Sequence, residues 1–342
     1  RMLAASGARR YPRGMPHAAR RPAPVRLALC AALLAAPLGL SGCQAVLVWG
    51  AQTFWSHSAP DVPDDIVATR DVVFASRPTG DLLLDVYRPA DRAGEPRPVV
   101  LYAFGGGWMS GNRHQFTVLD LFRLVDRGYV IATADYRWST DAIFPAQIHD
   151  VKAALRWLRA HADEHGIDPT RVAILGPSAG GHLASLAGTS GDVATLEGAT
   201  PDTWPGESSR VQAVVDFFGP SELETYRAQH VENGLGNTNS LFFLEMLIGG
   251  AVEANPELAA SASPMAYLDA DDPPFLIIHG DEDPVVPIQQ SRRLLAALET
   301  AGVDATFRLV PGGDHGRSEA YASDAMMNAI GDFLDRSLGV AP

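Results

Sequence analysis

Eight short β-rich runs recur between residues 72 and 310: VVFA, LLLDVYRP, RPVVLYAF, YVIATADY, RVAILG, VQAVVDFF, PPFLIIHG and ATFRLV. Longer stretches of helical character separate most of them, at 115–127, 145–164, 179–190, 288–301 and 319–337. In PAQIHDVKAALRWLRAHADEHG, Ile148, Val151, Leu155 and Leu158 recur at helical spacing, and Gly166 follows as a stop. Strands that are apolar on both faces and alternate with helices imply an α/β fold, a mostly parallel sheet of about eight strands with helices on both faces. Residues 221–272, which include SLFFLEMLIGG, exceed what a crossover needs. They predict a small helical insertion over the C-terminal edge of the sheet, where such folds bind ligands.

The N-terminus has a different character. Arg20, Arg21 and Arg26 precede an apolar run from Leu27 to Leu40, too short to span a bilayer and followed by Ser41-Gly42-Cys43. Residues 1–42 therefore read as an export signal, with 1–14 upstream of a start at Met15. Leu40-Ser41-Gly42-Cys43 resembles a bacterial lipobox, which makes Cys43 a lipidation site and 43–63 a tether. That resemblance implies a lipid-anchored protein of the cell envelope, at the outer membrane if the source has one, because Gln44 rather than an aspartate follows the cysteine. Trp49, Phe54 and Trp55 in the tether are expected to dock on the domain that occupies 64–340.

The only other cysteine, Cys30, lies within the signal, so the exported domain has neither a disulfide nor a cysteine metal site. Its stability must come from a core, and 46% hydrophobic residues suffice to build one. The first 42 residues carry seven arginines and no acid, leaving 20 basic residues against 40 acidic ones in the remainder. Such a surface repels nucleic acid and anionic headgroups. Lys152 is the single lysine among 27 basic residues.

Gly176-Pro177-Ser178-Ala179-Gly180 fits G-x-S-x-G, with the strand VAILG before it and the helix AGGHLASLAG after it. In that context the motif presents a serine hydroxyl on a tight turn above the sheet. A nucleophilic serine needs a base, and the base needs an orienting carboxylate. His315, in VPGGDHG, is the only histidine that follows every plausible acid loop, whereas His279 lies inside a strand and His182 one turn into the helix. Asp281, Glu282 and Asp283 in IIHGDEDPVVP are all placed for the acid, and spacing does not separate them. In YAFGGGWMSGN, the glycine run can turn backbone N–H groups toward a developing oxyanion. Neither glycine-rich stretch is a P-loop or a well-placed G-x-G-x-x-G, and no H-E-x-x-H zinc motif occurs.

Together FGGGW, GPSAGGHLA, HGDEDPVVP and GGDHG, with DYR and FPAQIHDVKAALRWLR, resemble the α/β-hydrolase esterases of the hormone-sensitive-lipase-like and bacterial feruloyl- and acetyl-xylan-esterase-like groups. The likeness runs from about Asp81 to the C-terminus. It implies Ser178 as nucleophile, Asp283 as acid, His315 as base, and the N–H groups of Gly106, Gly107 and Ala179 as oxyanion hole. Two positions depart from the pattern: Phe104 heads the glycine motif where many relatives have histidine, and Pro177 stands before the serine, where it stiffens the approach without removing the Ala179 donor. His149, His182, Asp135 and Arg137 are assigned to structure. Phe217, Phe218, Phe242, Phe243 and Trp108 are placed to line an acyl or aryl pocket, or to pack in the core.

The expected activity is a serine carboxylesterase acting on small-molecule esters with aryl or acyl groups, without metal or organic cofactor. An amide or formamide hydrolase, a peptidase of the same fold, and a non-catalytic binding lipoprotein are the alternatives. The expected partners are an ester substrate and, through Cys43, a membrane.

Overall fold

The computed structural model describes residues 58–90, 96–115, 119–234 and 239–340. The expected signal, Cys43 and the tether aromatics Trp49, Phe54 and Trp55 lie outside the described residues. No helix among the described residues is long and apolar enough to cross a membrane.

The strands are β1 (Ile66–Arg77), β2 (Gly80–Pro89), β3 (Arg97–Ala103), β4 (Val130–Ala134), β5 (Ile167–Pro177), β6 (Ala213–Phe217), β7 (Phe275–Gly280) and β8 (Ala305–Val310). They form one eight-stranded sheet in the order β1-β2-β4-β3-β5-β6-β7-β8. β1 and β2 form a hairpin, β2 runs antiparallel to β4, and the remaining neighbours are parallel. Every residue of β3, β4, β6 and β7 is buried, as expected of strands covered on both faces. At the edge, β8 alternates between partly buried and exposed positions over most of its length.

The longer helices are α1 (Ala146–Ala160), α2 (Ala179–Thr189), α3 (Leu223–Glu232), α4 (Asn239–Ile248), α5 (Ile288–Ala301) and α6 (Asp324–Leu338). Among the described residues of the stretch read as a helix over 115–127, Phe122–Asp126 is helical, with a turn at Leu121 before it. The stretch at 319–337 divides into a 3-10 turn at Glu319–Ala322 and α6, where Ser323 caps the helix by accepting from the Met326 N–H. Between β6 and β7 lie α3, α4 and a short helix at Pro256–Ser261.

Chain order reverses around β3: β4 lies on one side and β5 on the other. A crevice opens at the carboxyl ends of strands at such a switch point. The glycine stretch leaves the end of β3 and Ser178 leaves the end of β5, so the topology brings the two motifs together. Away from this site, Lys152 is fully buried and donates to Glu197 Oε1 at 2.7 Å, while the equally buried Arg156 meets Glu197 Oε2 at 2.8 Å. These pairs tie α1 to the short helix Ala194–Glu197.

Candidate active site

Ser178 occupies φ 54°, ψ −120°, a conformation that side chains rarely adopt. Two backbone bonds hold it there: its N–H donates to Phe217 O at 2.8 Å, and its carbonyl accepts from the His182 N–H at 2.9 Å. The turn closes only because its flanks are glycines. A Cβ on Gly180 would stand 2.0 Å from Ala103 O, and one on Gly176 would stand 2.4 Å from the Gly180 carbonyl carbon. Pro177 pairs with Phe217 as the last residue of β5, and its ring leaves the turn intact.

His315 Nε2 lies 2.9 Å from Ser178 Oγ, and His315 Nδ1 lies 2.7 Å from Asp283 Oδ2. Of the three adjacent acids, Asp283 alone is buried. Asp281 accepts from the Gly312 N–H at 2.6 Å, and Glu282 is exposed. The other oxygen of Asp283 accepts from Val285 N–H at 2.7 Å and Val286 N–H at 2.9 Å. Burial pushes the Asp283 carboxyl up, but the His315 charge and the hydrogen bonds from His279 and His315 outweigh it and hold the group well below the usual carboxylate range. An ionised carboxylate only accepts, so His315 carries its hydrogen on Nδ1 and leaves Nε2 free to take the serine proton. The Phe218 ring packs on the His315 imidazole at 4.7 Å from a backbone φ of 43°.

Gly106 and Gly107 line the cavity beside Ser178, while Ala179 opens α2 directly after it. Among the described residues, no backbone carbonyl takes up the N–H of Gly106, Gly107 or Ala179. The Gly106 carbonyl accepts from Met109 N–H at 3.2 Å and Ser110 Oγ at 2.8 Å. In a trans peptide the following N–H points the opposite way, so these bonds set the direction of the Gly107 donor.

Other contacts brace this loop. Phe104 stacks on Tyr136 at 4.1 Å, and the Tyr136 hydroxyl donates to Phe104 O at 2.9 Å. An aromatic residue thus heads the glycine motif through packing. Trp108 is buried at φ 57°, with its indole N–H donating to His182 Nδ1 at 3.2 Å; His182 Nε2 in turn donates to Ala262 O at 2.7 Å. Burial drives the His182 pKa down to about 4, so it serves as a neutral link between glycine loop, elbow helix and insertion. Downstream, Arg113 contacts Asp71, Asp85 and Asp135. Arg137 pairs with Asp150 at 2.7 Å, and His149 Nε2 lies 3.1 Å from Thr195 O.

The cavity at Ser178 has a volume of about 260 Å³. Phe218, Phe243, Pro284 and Val285 supply its apolar wall, and Gln115 and Arg317 are polar members. Phe217 is buried in β6, Trp108 is committed to His182, and Phe242 does not reach the cavity wall. The insertion also clamps the acid loop. Tyr226 donates from its hydroxyl to Val285 O at 2.5 Å, and His230 Nε2 donates to the same oxygen at 2.9 Å. Tyr136 lies in the DYR motif, whereas for Tyr226 and His230 no local pattern in the sequence distinguishes them from packing residues.

Asp71, Asp85 and His114 are the one group of possible metal ligands among the described residues, with ligand atoms within 4.8 Å of one another. The Arg113 guanidinium already occupies the Asp71 and Asp85 carboxylates, so their charge is met within the protein.

Comparison with known proteins places these features in context. A family model described as BD-FAE matches residues 84–298. Esterase LipC of Mycobacterium tuberculosis is 33% identical over 73% of this chain and 60% of its own length. The chain spans about three fifths of the length of the curated relatives it matches first. Among solved structures, a truncated carbohydrate esterase from gut microbiota has a TM-score of 0.70 at 30% identity, covering 82% of this chain and 100% of that one. Thermogutta terrifontis esterase 2 phosphonylated by sarin has a TM-score of 0.68 at 28% identity, covering 83% of this chain and 98% of that one. The sheet order, the helices on both faces and these neighbours together define an α/β-hydrolase fold.

Proposed function

The chain belongs to the BD-FAE family, and from that premise we propose that it is a serine carboxylesterase with Ser178 as nucleophile, His315 as base and Asp283 as the orienting acid. The observation that carries the reading is the alignment of Ser178 Oγ, His315 and Asp283 at 2.9 and 2.7 Å. A structural neighbour phosphonylated by sarin supports it, because an activated hydroxyl of this kind attacks the phosphorus of such agents and displaces their leaving group.

Ser178 Oγ adds to the ester carbonyl carbon as its proton passes to His315 Nε2. The carbonyl oxygen takes up negative charge, and the N–H groups of Gly106, Gly107 and Ala179 are the donors proposed to receive it. Asp283 stabilises the imidazolium through Nδ1–H. His315 then returns the proton to the departing alkoxide, leaving an acyl group on Ser178. Water, deprotonated by His315, attacks the acyl carbon; the acid leaves and Ser178 regains its proton.

A cavity of about 260 Å³ is slightly smaller than the ~300–1,000 Å³ clefts of drug-sized ligands, and with Phe218 and Phe243 on its wall it suits a short acyl or compact aryl group. Hydrolysis of p-nitrophenyl acetate by the wild type and Ser178→Ala tests the reading. Equal rates, or failure of a fluorophosphonate probe to label Ser178, would overturn it. A series of p-nitrophenyl esters of increasing acyl length then locates the substrate class. We also propose that Cys43 carries a lipid anchor facing the cell envelope; a Cys43→Ser variant that still incorporates a labelled fatty acid and stays with the membrane fraction would refute this.

A further inference from the structure

We infer that His279 is a positioning residue for this reaction: from the interior side it orients the Asp283 carboxylate that orients His315, and the Ser291 hydroxyl holds the far side of its ring. The inference rests on the serine-esterase reading above and concerns a residue that makes no contact with the cavity.

His279 is fully buried in β7, four residues before Asp283. Its Nε2 lies 3.2 Å from Asp283 Oδ2 and 3.0 Å from Val286 O. Both neighbours are acceptors, so Nε2 carries the hydrogen and shares it between them. On the other side of the ring, Nδ1 lies 2.7 Å from Ser291 Oγ, and the hydroxyl donates to it. A neutral imidazole with one hydrogen on Nε2 therefore satisfies every partner it has.

The two carboxylate oxygens are held differently. Oδ1 accepts from two backbone N–H groups, which pin that atom. Oδ2 faces His315 on one side and His279 on the other. Without His279, the oxygen that receives the catalytic imidazole has no partner on its inner side, and His315 alone holds it in that direction. The hydrogen bond also draws electron density from Oδ2, which moderates its hold on the His315 imidazolium. Among the described residues, the titratable groups facing this cluster include Asp216 from β6, Tyr226 and His230 from α3, Tyr321 from the 3-10 turn, and Asp283 and His315 themselves. A merely structural histidine would change stability when replaced, but not turnover by the folded enzyme.

The test compares His279→Leu, His279→Gln and Ser291→Ala, assayed on p-nitrophenyl acetate per folded protein as judged by near-UV circular dichroism. Leu removes the donor, and kcat is expected to fall about tenfold or more with KM within about twofold, the scale of a misplaced catalytic group. The acidic limb of kcat/KM should move to higher pH, since Oδ2 then holds the imidazolium more tightly. Gln retains an N–H near the Nε2 position and should restore kcat to within about threefold. If His279→Leu does not fold, Ser291→Ala reads the same effect: it keeps the ring but removes the hydroxyl that anchors its Nδ1 side, and should lower kcat and shift the limb in the same direction. Folded variants with wild-type kcat and an unmoved pH profile overturn the inference. That result with Ser178→Ala inactive leaves the esterase reading standing, whereas an active Ser178→Ala removes both.

Discussion

Ser178 and His315 are 137 positions apart in the chain, yet Oγ and Nε2 stand 2.9 Å from one another. One atom is delivered by a strained turn after β5 and the other by a loop after β8, and the contact depends on the tautomer that Asp283 imposes. Replacing Asp283 with Asn offers Nδ1 an amide donor and drives the imidazole hydrogen to Nε2, where it blocks proton transfer. Steady-state kinetics of Asp283→Asn should show kcat lower by about 10³–10⁴ with KM little changed. A loss below about tenfold would remove Asp283 from the mechanism.

Two buried groups behind the site give stability opposite pH dependences. Burial raises the Asp216 carboxyl to about 6, against hydrogen bonds from Gly219 N–H and Ser185 Oγ. Its favourable contribution is complete below the unfolded carboxylate range and is lost as pH rises from about 4 through 6. Burial lowers His182 to about 4, so its contribution is complete above about 6.5 and is lost as pH falls through 4. Each gap corresponds to roughly 3 kcal/mol. Urea unfolding between pH 4 and 7 should show Asp216→Asn gaining stability over the wild type as pH rises, and His182→Gln gaining as pH falls. Parallel curves for wild type and variants would contradict this.

Gly107 has φ 62°, and a Cβ there would approach the Phe243 ring to 2.6 Å. Alanine meets both the left-handed backbone penalty, about 1–2 kcal/mol, and the ring. Gly107→Ala should lower kcat/KM about tenfold or more, and Phe243→Ala in the same chain should restore part of it. A double variant no better than Gly107→Ala would mean that the ring from the insertion does not press on the glycine loop.

Far from the site, Glu197 neutralises the buried Lys152 and Arg156. Glu197→Gln leaves two interior cations without a carboxylate and should cost about 3–5 kcal/mol in denaturant unfolding. Lys152→Met leaves Glu197 paired with Arg156 and should cost less. The reverse order would show that the lysine, not the carboxylate, organises this cluster.

Local signals reached far into both fold and site. The apolar runs foretold the strands because burial on both faces leaves no room for alternation, as in β3, β4, β6 and β7. Gly176 and Gly180 marked the elbow because close backbone approaches there exclude any Cβ. Among the described residues of 115–127 the helix covers Phe122–Asp126, shorter than expected, because helical composition says nothing of the turn at Leu121 that precedes it. Tyr226 and His230 stayed silent, since their role is to meet one carbonyl, Val285 O, from a separate element.

By itself the sequence determined an α/β alternation, a serine on a glycine-flanked turn, and a histidine downstream of three adjacent acids. These follow from periodicity, steric exclusion and order along the chain, all of which are local or one-dimensional. Spacing could not choose among Asp281, Glu282 and Asp283; only the family resemblance separated them. Tertiary structure turned Asp283 inward to His315, bonded Asp281 to Gly312 N–H and left Glu282 in solvent. It also set His279 behind that carboxylate and the Phe243 ring above Gly107. The direction of a side chain at the end of a strand depends on which loops converge there, and that convergence is a property of the assembled sheet.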